Sequence, residues 1–206
     1  MISIIDYDAG NIKSVEKAVE YLGNEVQITR DRDLILSSSH VILPGVGSFG
    51  DAMQKLKEYD LVNTIYDVVD RRIPFLGICL GLQLLFQDSE ESEGVGGLGI
   101  LDGRILKIPD APELKIPHMG WNSLRFKQDA ALFQGLNEDP YVYFVHSYYL
   151  KAGHEEDVAA TTFYSTEIHA SVEHDRVFAC QFHPEKSGRI GLHILKNFLQ
   201  IGEGEA

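Results

Sequence analysis

Two rhythms of apolar residues alternate along the first eighty positions. ISII (2–5), EVQIT (25–29), HVILP (40–44) and IPFLGI (73–78) are short, nearly continuous apolar runs bounded by polar or turn residues, the pattern of buried strands. Between them apolar residues return every three or four positions. Ile12, Val15, Val19 and Leu22 mark a helix from Asn11 that Gly23 stops, and Ala52, Met53 and Leu56, then Val62, Ile65, Tyr66 and Val69, mark further helices. Strand, helix, strand in this order predicts right-handed crossovers and an α/β fold, with a mostly parallel sheet flanked by helices on both faces. In such a sheet the functional loops gather at the carboxyl ends of the strands.

Beyond residue 99 the pattern becomes an added β-rich portion: GRILKI, YVYFVHSYYL, VAATTFY and VFACQF are shorter β runs. A last helix from Ser187 sets Ile190, Ile194, Leu195 and Phe198 on one face. DSEESEGVGGLG (88–99), acidic and then glycine-rich, reads as a mobile surface excursion, and the closing GEGEA as a frayed tail. Residues 1–206 are expected to form a single domain.

Charge and cysteine usage narrow the function. With 18 basic against 31 acidic residues the net charge of -13 repels a phosphate backbone, so neither nucleic acid nor an anionic membrane is an expected partner. The opening MISIID lacks a basic signal region, and no apolar run approaches the roughly 20 residues of a membrane span, which points to a cytoplasmic protein. Cys79 and Cys180 are too few for a disulfide framework. His118, His146, His154, His169, His174 and His193 are scattered, without HExxH or paired cysteines, so neither a metal nor a cofactor is expected.

The chemistry concentrates at FLGICLGLQLLF (75–86), where Cys79 stands between Gly77 and Gly81 as a strand pattern becomes a helical one. This is a cysteine version of the nucleophile elbow: a sharp strand-to-helix turn lifts the thiol above the sheet, and small neighbours relieve the crowding. Amides after Cys79, beginning with Leu80, would favour a thiolate and receive a developing oxyanion. FACQFHPEKS (178–187) offers the base and its orienting carboxylate. If that run is a strand ending at Pro184, Gln181 and His183 share the face toward the elbow and Cys180 points into the core, with Glu185 placed to hold the second imidazole nitrogen. The loop PGVGSFG (44–50) supplies further backbone amides. It also spells G-x-G-x-x-G, as does GVGGLG (94–99). The second lies between acidic loop and β pattern, and about 20 residues after the first Asp67 and Asp70 fall in a helical pattern, so a dinucleotide site is rejected.

PGVG, GICLG followed by Gln83, and FHPEKS, in that order on an alternating α/β chain, resemble the triad (class I) glutamine amidotransferases. With DYDAGN near the start, KIPHMGWN (115–122), YFVHSYY (143–149) and QFHPEKSG, the chain is similar over essentially its whole length to the glutaminase subunits of imidazole glycerol phosphate synthases. The resemblance implies a flavodoxin-like class I amidotransferase architecture. It implies that Cys79 attacks the carboxamide of L-glutamine, His183 carries the proton to the departing ammonia and Glu185 holds His183. Gln83, Gly47 and the backbone of His146, Ser147 and Tyr148 would meet the substrate, and the amide of Val46 or Gly47 would complete the oxyanion hole with Leu80. The implied partner is a (β/α)8-barrel cyclase, forming a heterodimer across which ammonia is channelled to make imidazole glycerol phosphate and an aminoimidazole carboxamide ribotide. Asn11, Met119, Trp121, Tyr143 and Lys186 match the family's partner-facing positions.

A Gly-Val-Gly oxyanion strand also suggests a switch, because a peptide flip at glycine costs little and could leave the hole unformed until a partner binds. The opening loop departs from the family's glycine-rich version at Asp8. Two alternatives share these residues: a glutaminase serving another synthase, and a catalytically silent binding module of the same fold.

Overall fold

Apolar runs and amphipathic stretches condense into a helix-covered sheet in a computed structural model that describes residues 1–202; the last four positions of the expected tail lie outside the described residues. The elements of the first part are β1 (Ile2–Ile5), α1 (Ile12–Tyr21), β2 (Val26–Thr29), α2 (Arg32–Leu36), β3 (His40–Leu43), α3 (Phe49–Glu58), α4 (Leu61–Asp70), β4 (Phe75–Ile78) and α5 (Leu80–Leu84). There follow β5 (Asp88–Ser89), β6 (Gly103–Lys107), β7 (His118–Ser123), β8 (Arg125–Phe126), β9 (Tyr141–His146), β10 (Tyr148–Ala152), β11 (Val158–Tyr164), β12 (Thr166–His174), β13 (Val177–Cys180) and α6 (Gly188–Leu199).

The large sheet runs β2-β1-β3-β4-β13-β12-β11-β8. Neighbours from β2 to β13 are parallel, and β12, β11 and β8 extend the sheet antiparallel. The period of two along each strand divides its residues between two cores. Ile5, Val41, Leu43 and Phe75 pack with α3 and α4 on one face, and Ile4, Ile42, Leu76 and Ile78 with α1 and α6 on the other.

EVQIT, read as a buried strand, has Glu25 exposed and Val26–Thr29 half-buried, because β2 is the sheet edge with β1 as its one neighbour. Helix α2 has no counterpart in the sequence reading; five residues are too few to show a period, and it is started by Asp31, whose carboxylate accepts from the Leu34 amide at 3.0 Å. YVYFVHSYYL divides at Ser147. Strand β9 pairs with β7 in a two-stranded sheet, while β10 pairs with β6 in a three-stranded one.

Residues 88–99 are not a free excursion. Leu98 is buried in the core and its amide bonds Leu84, Gly97 bonds Gln87, and β5 pairs with β6. Glu91 and Ser92 accept from the Phe49 and Gly50 amides at the start of α3, at 2.7 and 3.0 Å. The acidic residues that suggested solvation include a carboxylate satisfying a helix N-terminus, where negative charge is favoured.

Asp8, the departure in the opening loop, adopts φ 62°, a left-handed conformation that Asp tolerates better than most residues. Tyr59 donates a hydrogen bond to its carboxylate and Arg30 pairs with it at 2.9 Å, and together they hold its pKa below the usual range.

Candidate active site

Strand β4 ends at Ile78, and the chain turns through Cys79 at φ 55°, ψ -107° into α5. The Cys79 amide donates to the Cys180 carbonyl at 2.8 Å, which ties the turn to β13. No room exists for larger neighbours: a Cβ on Gly81 would lie 1.9 Å from the Leu43 carbonyl oxygen, and one on Gly77 2.7 Å from that of Gly81. The elbow predicted from the two glycines is therefore a close approach of backbones as well as a strained dihedral. Cys79 opens on a cavity of about 300 Å³ whose wall includes Val46, Gly47, Leu80, Gln83, His146, Ser147 and Tyr148.

Parallel pairing brings the segment that carries His183 beside the elbow, since Ile78 lies opposite Cys180. Strand β13 ends at Cys180 rather than at Pro184, because the chain then leaves the large sheet. Gln181 still donates to Ala170 at 2.8 Å, while His183 donates to Tyr143 of β9 at 3.0 Å. Gln181 Nε2 lies 3.7 Å from the Cys79 sulfur. The Cys180 thiol is fully buried against the Phe182 carbonyl, and burial pushes its pKa well up.

His183 Nδ1 lies 2.8 Å from Glu185 Oε1, and both side chains are buried. Since a carboxylate accepts, Nδ1 carries the proton; the Nε2 that remains is buried and has no hydrogen-bond partner. Burial opposes charge on this ring, yet the adjacent Cys79 and Glu185 outweigh it and raise His183 to about 9. An imidazole so placed is positioned to take a proton from a neighbouring group.

The amide of Leu80 donates to the Gly45 carbonyl at 3.3 Å. An oxygen thus faces the Leu80 amide where a second amide was expected beside it. Gly47 stands at φ 111° and Val46 is 38% exposed, which leaves this segment little resistance to rotation. Its base is fixed, for the buried Tyr7 hydroxyl donates to the Pro44 carbonyl at 2.7 Å.

The partner-facing candidates are distributed unevenly. On β7 Met119 and Trp121 are 62% and 56% exposed, and Tyr143 of β9 meets Trp121 edge to face at 6.1 Å. Lys186 is exposed at the start of the last helical region. Asn11 is half-buried, with its amide turned inward to donate to Glu185 Oε1.

Three residues escaped the sequence reading. Glu91 lines the cavity from the acidic loop, a carboxylate suited to an ammonium group on a ligand. Gln181 was placed on the correct face without a role. His118 was counted among scattered histidines, yet its Nδ1 lies 3.0 Å from His146 Nε2, because β7 and β9 pair in register at these two positions. A period-two pattern shared by HMGWN and YVYFVH was the only signal, and it does not identify the partner strand.

Residues 3–201 match the model of the family described as glutamine amidotransferase class-I. The chain is 50% identical over 201 residues to the imidazole glycerol phosphate synthase subunit HisH of Methanocaldococcus jannaschii, covering 98% of this chain and 100% of that protein. It is also 50% identical over 200 residues to the subunit of the same name from Moorella thermoacetica, covering 97% and 94%. Among solved structures, PurLQS from Thermotoga maritima superposes with a TM-score of 0.76 at 20% identity over 97% of each chain, a likeness of fold.

Proposed function

This chain belongs to the class-I glutamine amidotransferase family, and from that premise we propose that it is the glutaminase subunit of an imidazole glycerol phosphate synthase, releasing ammonia from L-glutamine for histidine biosynthesis. Full-length identity of 50% to HisH subunits favours this synthase over another one. The observation that carries the chemistry is the elbow cysteine beside an imidazole whose far nitrogen is clamped by a buried carboxylate.

The Cys79 sulfur attacks the side-chain carboxamide carbon of glutamine after its proton passes to His183 Nε2. The tetrahedral intermediate expels nitrogen as the imidazolium returns that proton, giving ammonia and a glutamyl thioester. Water, deprotonated by the same imidazole, attacks the thioester, the carbon–sulfur bond breaks, and glutamate leaves with the thiol restored. Glu185 keeps the imidazole in the required tautomer and offsets its charge. Val46, Gly47, Gln83 and the backbone of His146, Ser147 and Tyr148 surround the substrate, and Glu91 receives its α-ammonium.

The partner is a (β/α)8-barrel cyclase that covers Met119, Trp121, Tyr143 and Lys186; exposed aromatic and methionine side chains are enriched at such interfaces. Asn11, which donates to the buried Glu185 carboxylate, is the fifth position assigned to the partner face. The Gly45 carbonyl on the Leu80 amide is the resting state, and docking turns the Gly45–Val46 peptide so that two amides meet the oxyanion. No described helix is long and apolar enough to cross a membrane, in keeping with a cytoplasmic complex.

Glutamate release from L-glutamine, measured for the chain alone and with a cyclase and its nucleotide, tests the reading, with Cys79→Ala as control. Little turnover alone, strong stimulation in the complex and loss in Cys79→Ala are expected. Full turnover by the lone chain would overturn the gate, and none in a stable complex would overturn the glutaminase.

A further inference from the structure

A buried pair of histidines ties strand β7 to the wall of the cavity, and nothing in the chemistry above uses their side chains. His118 and His146 face each other across β7 and β9, 3% and 6% exposed. The Nδ1 of His146 lies 2.8 Å from the Tyr148 carbonyl, which can only accept, so that nitrogen bears the ring's proton and Nε2 is a lone pair. That lone pair faces His118 Nδ1 at 3.0 Å, so His118 carries its proton there, and its Nε2 is left to accept from the Asn122 amide at 3.4 Å. Every donor points from Asn122 toward Tyr148.

The arrangement requires both rings to be neutral, each with one proton and one lone pair. Burial supplies this, lowering His118 to about 4 and His146 to about 3. The His118 ring is also held in plane, stacked between Tyr164 at 4.0 Å and Phe144 at 4.7 Å. At the far end the Tyr148 carbonyl accepts a second bond from Gln83 Nε2 at 3.1 Å, and Gln83 in turn donates to Gln181 beside the Cys79 sulfur.

We propose that His118 is a positioning residue of the glutamine pocket, acting through His146 on the Tyr148 carbonyl to fix the Ser147–Tyr148 wall. The proposal rests on the glutaminase reading of the site. Its consequence is that β7 has two duties: Met119 and Trp121 on its outer face meet the cyclase, while His118 on its inner face sets the substrate wall. A core histidine that merely filled space would act through stacking alone, and phenylalanine keeps the stacking.

The test uses the full chain with its cyclase and nucleotide, comparing wild type, His118→Phe and His118→Asn. Phenylalanine retains the aromatic sandwich and removes the bond to His146, whereas asparagine can return an N–H near the Nδ1 position. His118→Phe is expected to raise the KM for glutamine about tenfold while kcat changes less than about twofold, and His118→Asn to recover most of that loss. Nitrogen-15 imidazole spectra of the wild-type chain at pH 7 are expected to report Nδ1-protonated, neutral rings for both histidines. A KM for His118→Phe within twofold of wild type, no recovery by His118→Asn, or an Nε2-protonated His118 overturns the proposal. If the wild-type complex hydrolyses no glutamine, the reading of the site fails and this proposal falls with it; if the wild type is active and His118→Phe matches it, the proposal alone falls.

Discussion

The parallel core of the large sheet and the β7–β9 pair are built on opposite plans. Every residue of β1, β3, β4 and β13 is buried, so these strands have neighbours on both faces and hold the elbow in a frame with no freedom. Strand β7 instead alternates, from His118 at 3% exposed to Met119 at 62%, with one face inward and one toward solvent. The difference separates two tasks. A frame buried on both sides suits an elbow that must not move, and a two-faced ribbon suits a surface that other molecules can reach. Changes in the frame are therefore felt by the chain alone, and changes on the outer face of the ribbon only in the complex.

The largest effect expected lies in the frame. Cys79→Ala removes the nucleophile and is expected to lower glutamine turnover in the complex on the order of 10⁴-fold, with thermal unfolding near wild type; retained turnover would show that another group attacks. Next is Gly81→Ala, whose Cβ would meet the Leu43 carbonyl at 1.9 Å. It is expected to destabilise the isolated chain by about 3 kcal/mol in urea denaturation, and a midpoint equal to wild type would mean that the elbow tolerates a side chain.

Trp121→Ser sharpens the contrast from the other side. Loss of an exposed aromatic anchor is expected to weaken cyclase binding by about 2 kcal/mol, roughly 30-fold, in a titration that leaves the stability of the free chain within about 0.5 kcal/mol. If the free chain were strongly destabilised instead, β7 would belong to the frame.

The titrating groups distinguish the two regions less sharply. His183, raised to about 9, must be protonated to release ammonia, so kcat/KM is expected to fall as pH rises through 9, about tenfold per unit beyond it. A flat profile from pH 8 to 10 would remove His183 as the acid. The smallest effect is on stability in acid. His118 and His146 are lowered from 6.5 to about 4 and about 3, chiefly by burial, and the charges of His118 and then His183 add to the depression of His146. The unfolded chain therefore binds protons that the fold refuses, so stability present above pH 6.5 is lost as pH falls toward 4. His118→Phe is expected to make that decline shallower in denaturation measured at successive pH values, and an unchanged slope would argue against a neutral buried His118.

The same contrast explains what could be read before the structure was known. Strands β1, β3 and β4 with helices α1, α3 and α4 are written locally, as apolar runs and periodic faces whose partners follow from the right-handed crossover rule. The elbow was legible because both glycines stand beside the cysteine they serve. Helix α2 was not, because its signal is one capping aspartate and five residues. The acidic loop misled, because Glu91 satisfies the Phe49 amide at the start of α3, far back in the chain, and charge by itself looks the same whether it meets water or an N-terminus.

Residue types at short fixed spacings were enough to reveal the α/β alternation, the glycine-flanked elbow at Cys79, the His183–Glu185 pair and the family. Tertiary structure alone decided that β13 lies beside β4 and brings His183 to Cys79, that the Gly45 carbonyl holds the Leu80 amide, and that His118 meets His146. Those are pairings across strands distant in the chain. A period of two says which residues share a face but not which strand lies opposite, and only the packed sheet resolves that choice.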